Sequence, residues 1–228
     1  MTTIPGNLQH VRARIATACQ RAGRGVEEVT LLAVSKTFGA DAVRAAAAAG
    51  QRAFGENYIQ EGVEKIAALR HLGLMWHCIG PIQSNKTRLV AEHFDWVHTV
   101  DRLKIAERLS AQRPADLPPL NVCIQVNIDG GANKSGVAPG EALALARAVA
   151  ALPQLKLRGL MSIPEIAPDF EAARAVHASA RALFDQLNAD GLGLDTLSMG
   201  MSDDLEAAIA AGSTMVRIGT AIFGSRAP

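Results

Sequence analysis

The sequence predicts an α/β protein whose eight parallel strands close into a (β/α)8 (TIM) barrel, with an extra helix at the N-terminus. Short apolar runs of strand length alternate with longer segments of helical periodicity from one end of the chain to the other. Such alternation is typical of parallel sheets with right-handed crossover helices. A chain of 228 residues lies near the lower size limit of this barrel, and an open doubly wound sheet is the alternative fold.

The elements are expected in a regular order after an N-terminal helix at residues 8–22. The predicted strands are residues 29–34, 52–54, 75–79, 96–99, 121–126, 157–161, 196–199 and 215–218. The helical patterns between them include residues 41–49, 59–69, 103–112, 141–152, 171–187 and 205–211. The second and seventh strand patterns are the weakest. No linker rich in Pro, Gly or Ser interrupts the series, so residues 1–228 are expected to form a single domain.

The composition favours a globular protein that binds neither nucleic acid nor membranes. The chain is 49% hydrophobic, and its 23 Lys and Arg nearly balance 22 Asp and Glu, which leaves no excess of positive charge for a phosphate backbone. No apolar run approaches the roughly 18 residues of a membrane span, and no signal-peptide pattern is present. The three cysteines are far apart in sequence, which indicates unpaired thiols in the reducing cytoplasm.

Polar and glycine-marked segments follow several of the predicted strands. In a (β/α)8 barrel the carboxyl ends of the strands carry the active site, so these segments are the candidates for function. They are residues 35–37, 55–58, 79–86, 127–136, 200–204 and 219–220.

Lys36 is the lysine that directly follows the apolar end of a predicted strand. Packing would fix its stem there, and partial desolvation would favour the neutral amine that forms a Schiff base. A solvated lysine at the start of a loop is the alternative interpretation of this residue alone.

The segments after the seventh and eighth strands have features of a phosphate site. Gly200 and Gly219 permit close approach of the backbone, and Ser202 and Thr220 offer hydroxyl and N–H groups at helix starts. Ser202 could also simply cap the helix that it opens. The acidic pair at 203–204 suits an anion site if both side chains point away as first-turn acids.

A Schiff-base lysine opposite a phosphate site indicates pyridoxal 5′-phosphate (PLP) as cofactor. Arg217 lies two residues before Gly219, so both face the barrel mouth on the same side of the strand. Arg217 could contact the pyridine nitrogen of the ring or the phosphate, and it could also close the barrel top through an ion pair.

Seven motifs resemble the pyridoxal phosphate homeostasis protein family, in order and over nearly the whole chain. They are residues 31–37 (Leu-Leu-Ala-Val-Ser-Lys-Thr), 54–58 (Phe-Gly-Glu-Asn-Tyr), 76–80 with 83–86, 125–128 with 134–136, 159–161, 197–204 and 216–220 with 222–224. The resemblance implies a barrel similar to the N-terminal domain of alanine racemases. It also implies a cytoplasmic protein that binds PLP through Lys36 and influences vitamin B6 and amino-acid balance without an established reaction.

The candidate cofactor-binding residues combine the residue patterns and this resemblance. They are Lys36, Asn57, His77, Ser198, Met201, Ser202, Arg217, Gly219 and Thr220. A strand histidine such as His77 is more often a core residue than a ligand. Glu56 could orient loop residues or cap a helix.

Three activities remain open, and a PLP carrier or regulator is favoured over two enzymes. A two-base racemase needs a second acid or base opposite the lysine. Tyr58, the only tyrosine in the chain, is instead expected to be packed or hydrogen-bonded near the cofactor. The alternatives are a PLP-dependent amino-acid racemase and a cofactor-free aldolase in which Lys36 attacks the substrate. Lys86 and Lys134 are expected to form a cationic rim around the barrel mouth. PLP is the expected partner, with apo forms of PLP-dependent enzymes as candidate recipients, and the chain is expected to be a monomer.

Overall fold

The computed structural model describes residues 3–131 and 135–225. Its strands are β1 (Thr30–Val34), β2 (Ala53–Glu56), β3 (Met75–Cys78), β4 (Trp96–Val100), β5 (Leu120–Gln125), β6 (Leu155–Met161), β7 (Thr196–Ser198) and β8 (Met215–Ile218). Each strand pairs in parallel with the next, and β8 pairs in parallel with β1. The sheet is therefore a closed barrel, which confirms the predicted fold and excludes the open doubly wound sheet.

The helices surround this barrel in the order that the sequence predicts. They are α1 (Ile4–Arg21), α2 (Ala40–Ala48), α3 (Ile59–Leu69), α4 (Thr87–His93), α5 (Leu103–Gln112), α6 (Ala142–Ala150), α7 (Phe170–Ala189), α8 (Leu205–Ala210) and α9 (Thr220–Phe223). The sequence patterns missed α4 and α9, which have seven and four residues and are too short to show several helical repeats. In the described part of the chain, no helix is long and apolar enough to cross a membrane.

The extra N-terminal helix α1 packs on the outside of the barrel against α8 and α9. The Thr3 side chain accepts a hydrogen bond from the Gly6 N–H and so caps the first turn. One face of α1 buries apolar residues against the barrel, namely Leu8, Val11, Ile15 and Ala18. On the same helix, Arg14 donates to the backbone carbonyl of Ser202 at 3.0 Å, which ties α1 to the loop after β7.

The barrel interior is apolar at one level and polar at another. Leu32, Val34, Ile79 and Met215 form one buried apolar cluster. Lower in the barrel, the Arg158 guanidinium lies 4.5 Å from the centre of the Trp96 ring and also pairs with Asp195. Between the amino and carboxyl ends, the interior holds four buried polar side chains, those of His77, His98, Ser198 and Arg217.

Candidate functional site

One cavity of about 230 Å³ collects seven of the nine candidate residues at the carboxyl ends of the strands. Its lining includes Lys36 after β1, Asn57 after β2, Met201 and Ser202 after β7, and Arg217, Gly219 and Thr220 at the end of β8. His77 and Ser198 do not line this cavity. Both are buried in the barrel interior, at 1% and 0% exposure, and Ser198 contacts Arg217 from below.

A larger cleft of about 440 Å³ lies outside the barrel mouth, between α2 and α3. It is lined by residues 37–40 and by Glu61, Glu64, Lys65 and Ala68 of α3. The one lysine among the described residues of this cleft is already paired with Glu61, so the two carboxylates disfavour a phosphorylated ligand. The smaller cavity holds the strand-end lysine, an arginine and two hydroxyl side chains against one carboxylate in its described lining, Asp203, and is therefore the better candidate for a binding site.

Lys36 leaves the end of β1 on a tightly constrained piece of backbone. Ser35 before it is fully buried, and Thr37 after it has a φ of 69°, in the left-handed region that β-branched residues rarely adopt. The Thr37 N–H donates to Glu61 Oε1 at 2.7 Å. The Lys36 side chain itself is half-buried at the cavity wall.

The loop after β7 is held in place by Gly200 and Asp204. Gly200 has a φ of 97°, and its carbonyl accepts the Arg217 N–H at 2.9 Å. Asp204 accepts the Met201 N–H at 2.6 Å through Oδ1 and pairs with His177 Nε2 at 2.8 Å through Oδ2. The loop that carries Met201 and Ser202 to the cavity is therefore fixed from both sides.

Two expectations about this loop need correction. The N-cap residue of α8 is Asp204, so Ser202 does not cap that helix. Neither acid points away from the site, because Asp203 lines the cavity and Asp204 bridges the Met201 N–H and His177. Burial opposes the ionised carboxylate, but the hydrogen bonds from His177 and Met201 hold the pKa of Asp204 below its usual value.

Arg217 is the buried cation at the base of the cavity. Its Nη1 donates to Ser198 Oγ at 2.8 Å and its Nη2 donates to the Ser162 carbonyl at 2.9 Å. Burial lowers the pKa of Arg217 to about 10, against the attraction of Asp204, so the guanidinium remains charged at neutral pH.

Two histidines continue this hydrogen-bonded line into the barrel. His98 Nδ1 lies 2.9 Å from Ser198 Oγ, and His98 Nε2 lies 2.9 Å from His77 Nδ1. Burial lowers the pKa of His77 to about 3. Burial, with electrostatic repulsion from His77 and Arg217, lowers the pKa of His98 well below its usual value. Both imidazoles are therefore neutral at physiological pH, and His77 occupies the core position that its strand location favours.

Sequence reasoning missed His98 and Lys65, which shape the site. His98 lies two positions after Trp96 on β4, and this alternation places both side chains on the inner face of the barrel. Glu56 and Lys65 form a buried ion pair with an Nζ–Oε1 distance of 2.9 Å behind the loop that carries Lys36. Glu56 thus orients loop residues, as one of its two interpretations predicted.

Tyr58, Lys86 and Lys134 are the remaining residues expected near the barrel mouth. Tyr58 is 55% exposed and follows Asn57 outside the residues that line the cavity. Lys86 is the half-buried N-cap residue of α4, and Lys134 lies outside the described residues. Within residues 3–131 and 135–225, no group of three or more His, Cys, Asp or Glu side chains could hold a metal ion.

Comparisons with known proteins identify the family. The family described as alanine racemase, N-terminal domain, matches residues 6–227. A pyridoxal phosphate homeostasis protein from Pseudomonas aeruginosa is 64% identical over 226 residues, which cover 99% of this chain and 97% of that protein.

Solved structures agree with this assignment. PipY of Synechococcus elongatus PCC7942, solved with PLP bound, is 38% identical with a TM-score of 0.80, and the match covers 92% of this chain and 100% of PipY. An alanine racemase from Clostridium difficile shares the fold at 18% identity and a TM-score of 0.72, over 97% of this chain and 57% of the racemase. The chain belongs to the pyridoxal phosphate homeostasis protein family, whose barrel is that of the alanine racemase N-terminal domain.

Proposed function

We propose that this protein binds PLP in the cavity at the barrel mouth, through a Schiff base to Lys36, and serves PLP homeostasis without catalytic turnover. The observation that carries the proposal is the convergence of Lys36, Arg217, Ser202 and Thr220, from three different strand ends, on one cavity of about 230 Å³. The family assignment and the PLP-bound structure of PipY support the same cofactor.

The residues of the cavity suit each chemical part of PLP. Ser202 and Thr220 present hydroxyl groups for the phosphate, and Gly219 lets the backbone approach it. Arg217 lies deeper along β8, where its fixed guanidinium would face the pyridine nitrogen and leave that nitrogen unprotonated. PLP then supplies a weaker electron sink than a protonated ring would.

Asn57 offers the cavity a polar group that a bound PLP could satisfy. Its Oδ1 is buried and has no hydrogen-bond partner among the described residues. An orphaned polar atom of this kind is costly unless a bound group satisfies it. We assign the Asn57 amide to a hydrogen bond with the polar substituents of the ring. Met201 would pack beside the ring.

The absence of turnover rests on the acid and base groups beside Lys36. Racemisation by two bases needs a second proton carrier on the opposite face of the substrate. Tyr58 is exposed and, like His77, is not among the described residues that line the cavity. The one carboxylate among those lining residues, Asp203, lies on the loop after β7 beside Ser202, a proposed phosphate ligand. A racemase remains the enzymatic alternative, and formation of the D-isomer from any L-amino acid by the PLP-loaded protein would establish it.

The proposal extends to the cellular setting of the protein. The three cysteines are buried and unpaired, which suits a reducing cytoplasm. We propose a monomer of one domain that exchanges PLP with apo forms of PLP-dependent enzymes. Size-exclusion chromatography with light scattering tests the monomer, and reactivation of an apo-enzyme by the PLP-loaded protein tests the exchange.

The absorbance spectrum after addition of PLP tests the central claim. The wild type is expected to develop the visible band of a PLP Schiff base, and Lys36→Ala is expected to remain without it. Lys104→Ala, a change at an exposed lysine on α5, is the matched control and should keep the band. A wild type that stays colourless with PLP would overturn the proposal and favour the aldolase interpretation.

A further inference from the structure

We propose that Lys65 is a positioning residue for Lys36, and that with Glu56 and Glu61 it fixes the backbone on both sides of that lysine. Lys65 lies on α3 outside the barrel wall, where it lines the outer cleft and not the proposed PLP cavity. The inference rests on the proposed function, because it concerns how Lys36 is presented to PLP.

The three N–H donors of the Lys65 ammonium match three short contacts. Nζ donates to the Ser35 carbonyl at 2.8 Å, to Glu56 Oε1 at 2.9 Å and to Glu61 Oε1 at 2.6 Å. Lys65 is only 5% exposed, so these bonds form away from competing water. A single buried cation therefore joins β1, the end of β2 and the first turn of α3.

The two carboxylates carry this arrangement to the residues next to Lys36. The Ser35 hydroxyl donates to Glu56 Oε1 at 2.5 Å, and the Thr37 N–H donates to Glu61 Oε1 at 2.7 Å. Ser35 is thus held through its carbonyl and its hydroxyl, and Thr37 through its amide. The chain on either side of Lys36 is fixed by the same ionic cluster.

The backbone at Thr37 explains why such fixing is needed. A φ of 69° costs a β-branched residue conformational energy, and such a conformation persists only where surrounding contacts hold it. The bond from Thr37 to Glu61 supplies that hold, and Lys65 in turn orients Glu61. If this bond were lost, Thr37 could relax and Lys36 would change direction.

Stability alone is a weak explanation for this buried cluster. Glu56 is fully buried, and burial raises the pKa of its carboxyl while the bonds from Ser35 and Lys65 lower it. A buried ion pair often contributes no more to folding than an apolar pair of the same volume. An apolar pair could not form the hydrogen bonds by which this cluster holds Ser35 and Thr37.

Two ligands separate positioning from general damage to the site. PLP reacts with Lys36, whereas pyridoxine 5′-phosphate has an alcohol in place of the aldehyde and can bind only non-covalently. In the double variant Glu56→Gln with Lys65→Met, which leaves no unpaired buried charge, we expect the rate of Schiff-base formation with PLP to fall at least about tenfold. The affinity for pyridoxine 5′-phosphate, measured by fluorescence titration, should stay within about twofold of wild type, because the loops after β7 and β8 that would hold the phosphate are unchanged.

A milder variant keeps the test decisive if the double variant does not fold. Glu61→Gln weakens the bonds to Thr37 and Lys65 at a partly exposed side chain, and should also slow Schiff-base formation with PLP. Glu64→Gln, one turn further along the wall of the same outer cleft, is the matched control and should react at the wild-type rate. Unchanged PLP rates in both Glu61→Gln and any folded double variant would overturn the role of Lys65. A wild type that forms no Schiff base would instead overturn the proposed function.

Discussion

Arg217 Nη1 donates to Ser198 Oγ at 2.8 Å in the middle of the barrel, so the cation of the cavity is held from inside the fold. Ser198 is in turn 2.9 Å from His98 Nδ1, and the line ends at His77, which stacks on Trp96. The candidate residues that do not reach the cavity, Ser198 and His77, thus belong to the support of one that does. The candidate residues therefore lie at two depths of the barrel, some lining the cavity and others supporting Arg217 from below.

Removing the Ser198 hydroxyl should weaken PLP binding without unfolding the barrel. In Ser198→Ala, Arg217 loses a charge-assisted hydrogen bond worth about 1.5–3 kcal/mol, and its guanidinium is less well fixed below the ring. We expect the Kd for PLP to rise about tenfold or more. Fluorescence titration with pyridoxine 5′-phosphate as well as PLP measures this effect independently of the Lys36 bond.

Ser179→Ala is the control for that experiment. Ser179 lies on α7, where its exposed hydroxyl donates to the Ala175 carbonyl within the same helix, and its loss should leave the Kd unchanged. Equal affinities for wild type and Ser198→Ala would show that Arg217 does not depend on this hydroxyl.

The buried histidines should make folding stability depend on pH below about 6.5. Burial lowers the pKa of His77 to about 3 in the folded protein, whereas an imidazole in the unfolded chain has its ordinary pKa of about 6.5. The unfolded chain therefore binds a proton that the folded chain does not, and stability falls as the pH drops from about 6.5 towards 3. The loss is at most about 1.4 kcal/mol per pH unit for each such histidine.

Urea unfolding at pH 7, 6, 5 and 4 tests this dependence in His77→Gln. The variant should be less stable at pH 7, because the bond to His98 is altered. Between pH 6 and 4 its free energy of unfolding should fall less steeply than that of the wild type, and the two slopes should differ by up to about 1.4 kcal/mol per pH unit. His71→Gln removes an exposed histidine and should retain the wild-type slope. Parallel pH profiles for wild type and His77→Gln would contradict the assignment.

The fold was predictable because each barrel strand is a short apolar run between turn residues and helices. The strand patterns at 96–99 and 215–218 were placed to within one residue of the observed β4 and β8. The end of β2 was missed, since Gly55 and Glu56 read as a polar loop. Glu56 is in fact a strand residue whose carboxylate is fully buried against Lys65, and local sequence does not reveal such a partner.

The cavity was predictable to the extent that it depends on strand ends. Lys36, Asn57, Ser202 and Thr220 each follow a strand, and a barrel brings those positions together whatever their separation in sequence. The depth of a residue within the barrel was not predictable. Whether Ser198 faces the cavity or the interior depends on the stagger of the eight strands relative to one another. The sequence of one strand shows which of its residues point inward, but it does not show that stagger.

The three thiols should be unreactive in the folded protein. Burial raises the pKa of Cys78 and of Cys123 to about 12, and it also raises the pKa of Cys19. Because the thiolate is the reactive form, alkylation by iodoacetamide at pH 8 should label none of the three within minutes. The same treatment in guanidinium should label all three, as mass spectrometry can count. Rapid labelling of any cysteine in native protein would show that its burial is incomplete.

Replacing Gly200 by alanine should damage both the fold and the PLP site. Gly200 has a φ of 97°, and a Cβ at this position would lie 2.5 Å from the Ala208 Cβ of α8. The backbone must therefore shift and carry Met201 and Ser202 away from the cavity. We expect a loss of about 2–4 kcal/mol in the free energy of unfolding, from left-handed strain plus overpacking, and weaker PLP binding.

Gly193→Ala separates these two costs. Gly193 also has a positive φ, of 64°, but apart from its two chain neighbours no described residue has an atom within 4 Å of the position its Cβ would take. It should lose only the conformational part, about 1 kcal/mol, and bind PLP as the wild type does. Urea unfolding and PLP titration of the two variants side by side measure the difference. Gly200→Ala could instead be as stable as Gly193→Ala and bind PLP normally. That result would show that close packing of α8 against the loop after β7 does not position Met201 and Ser202.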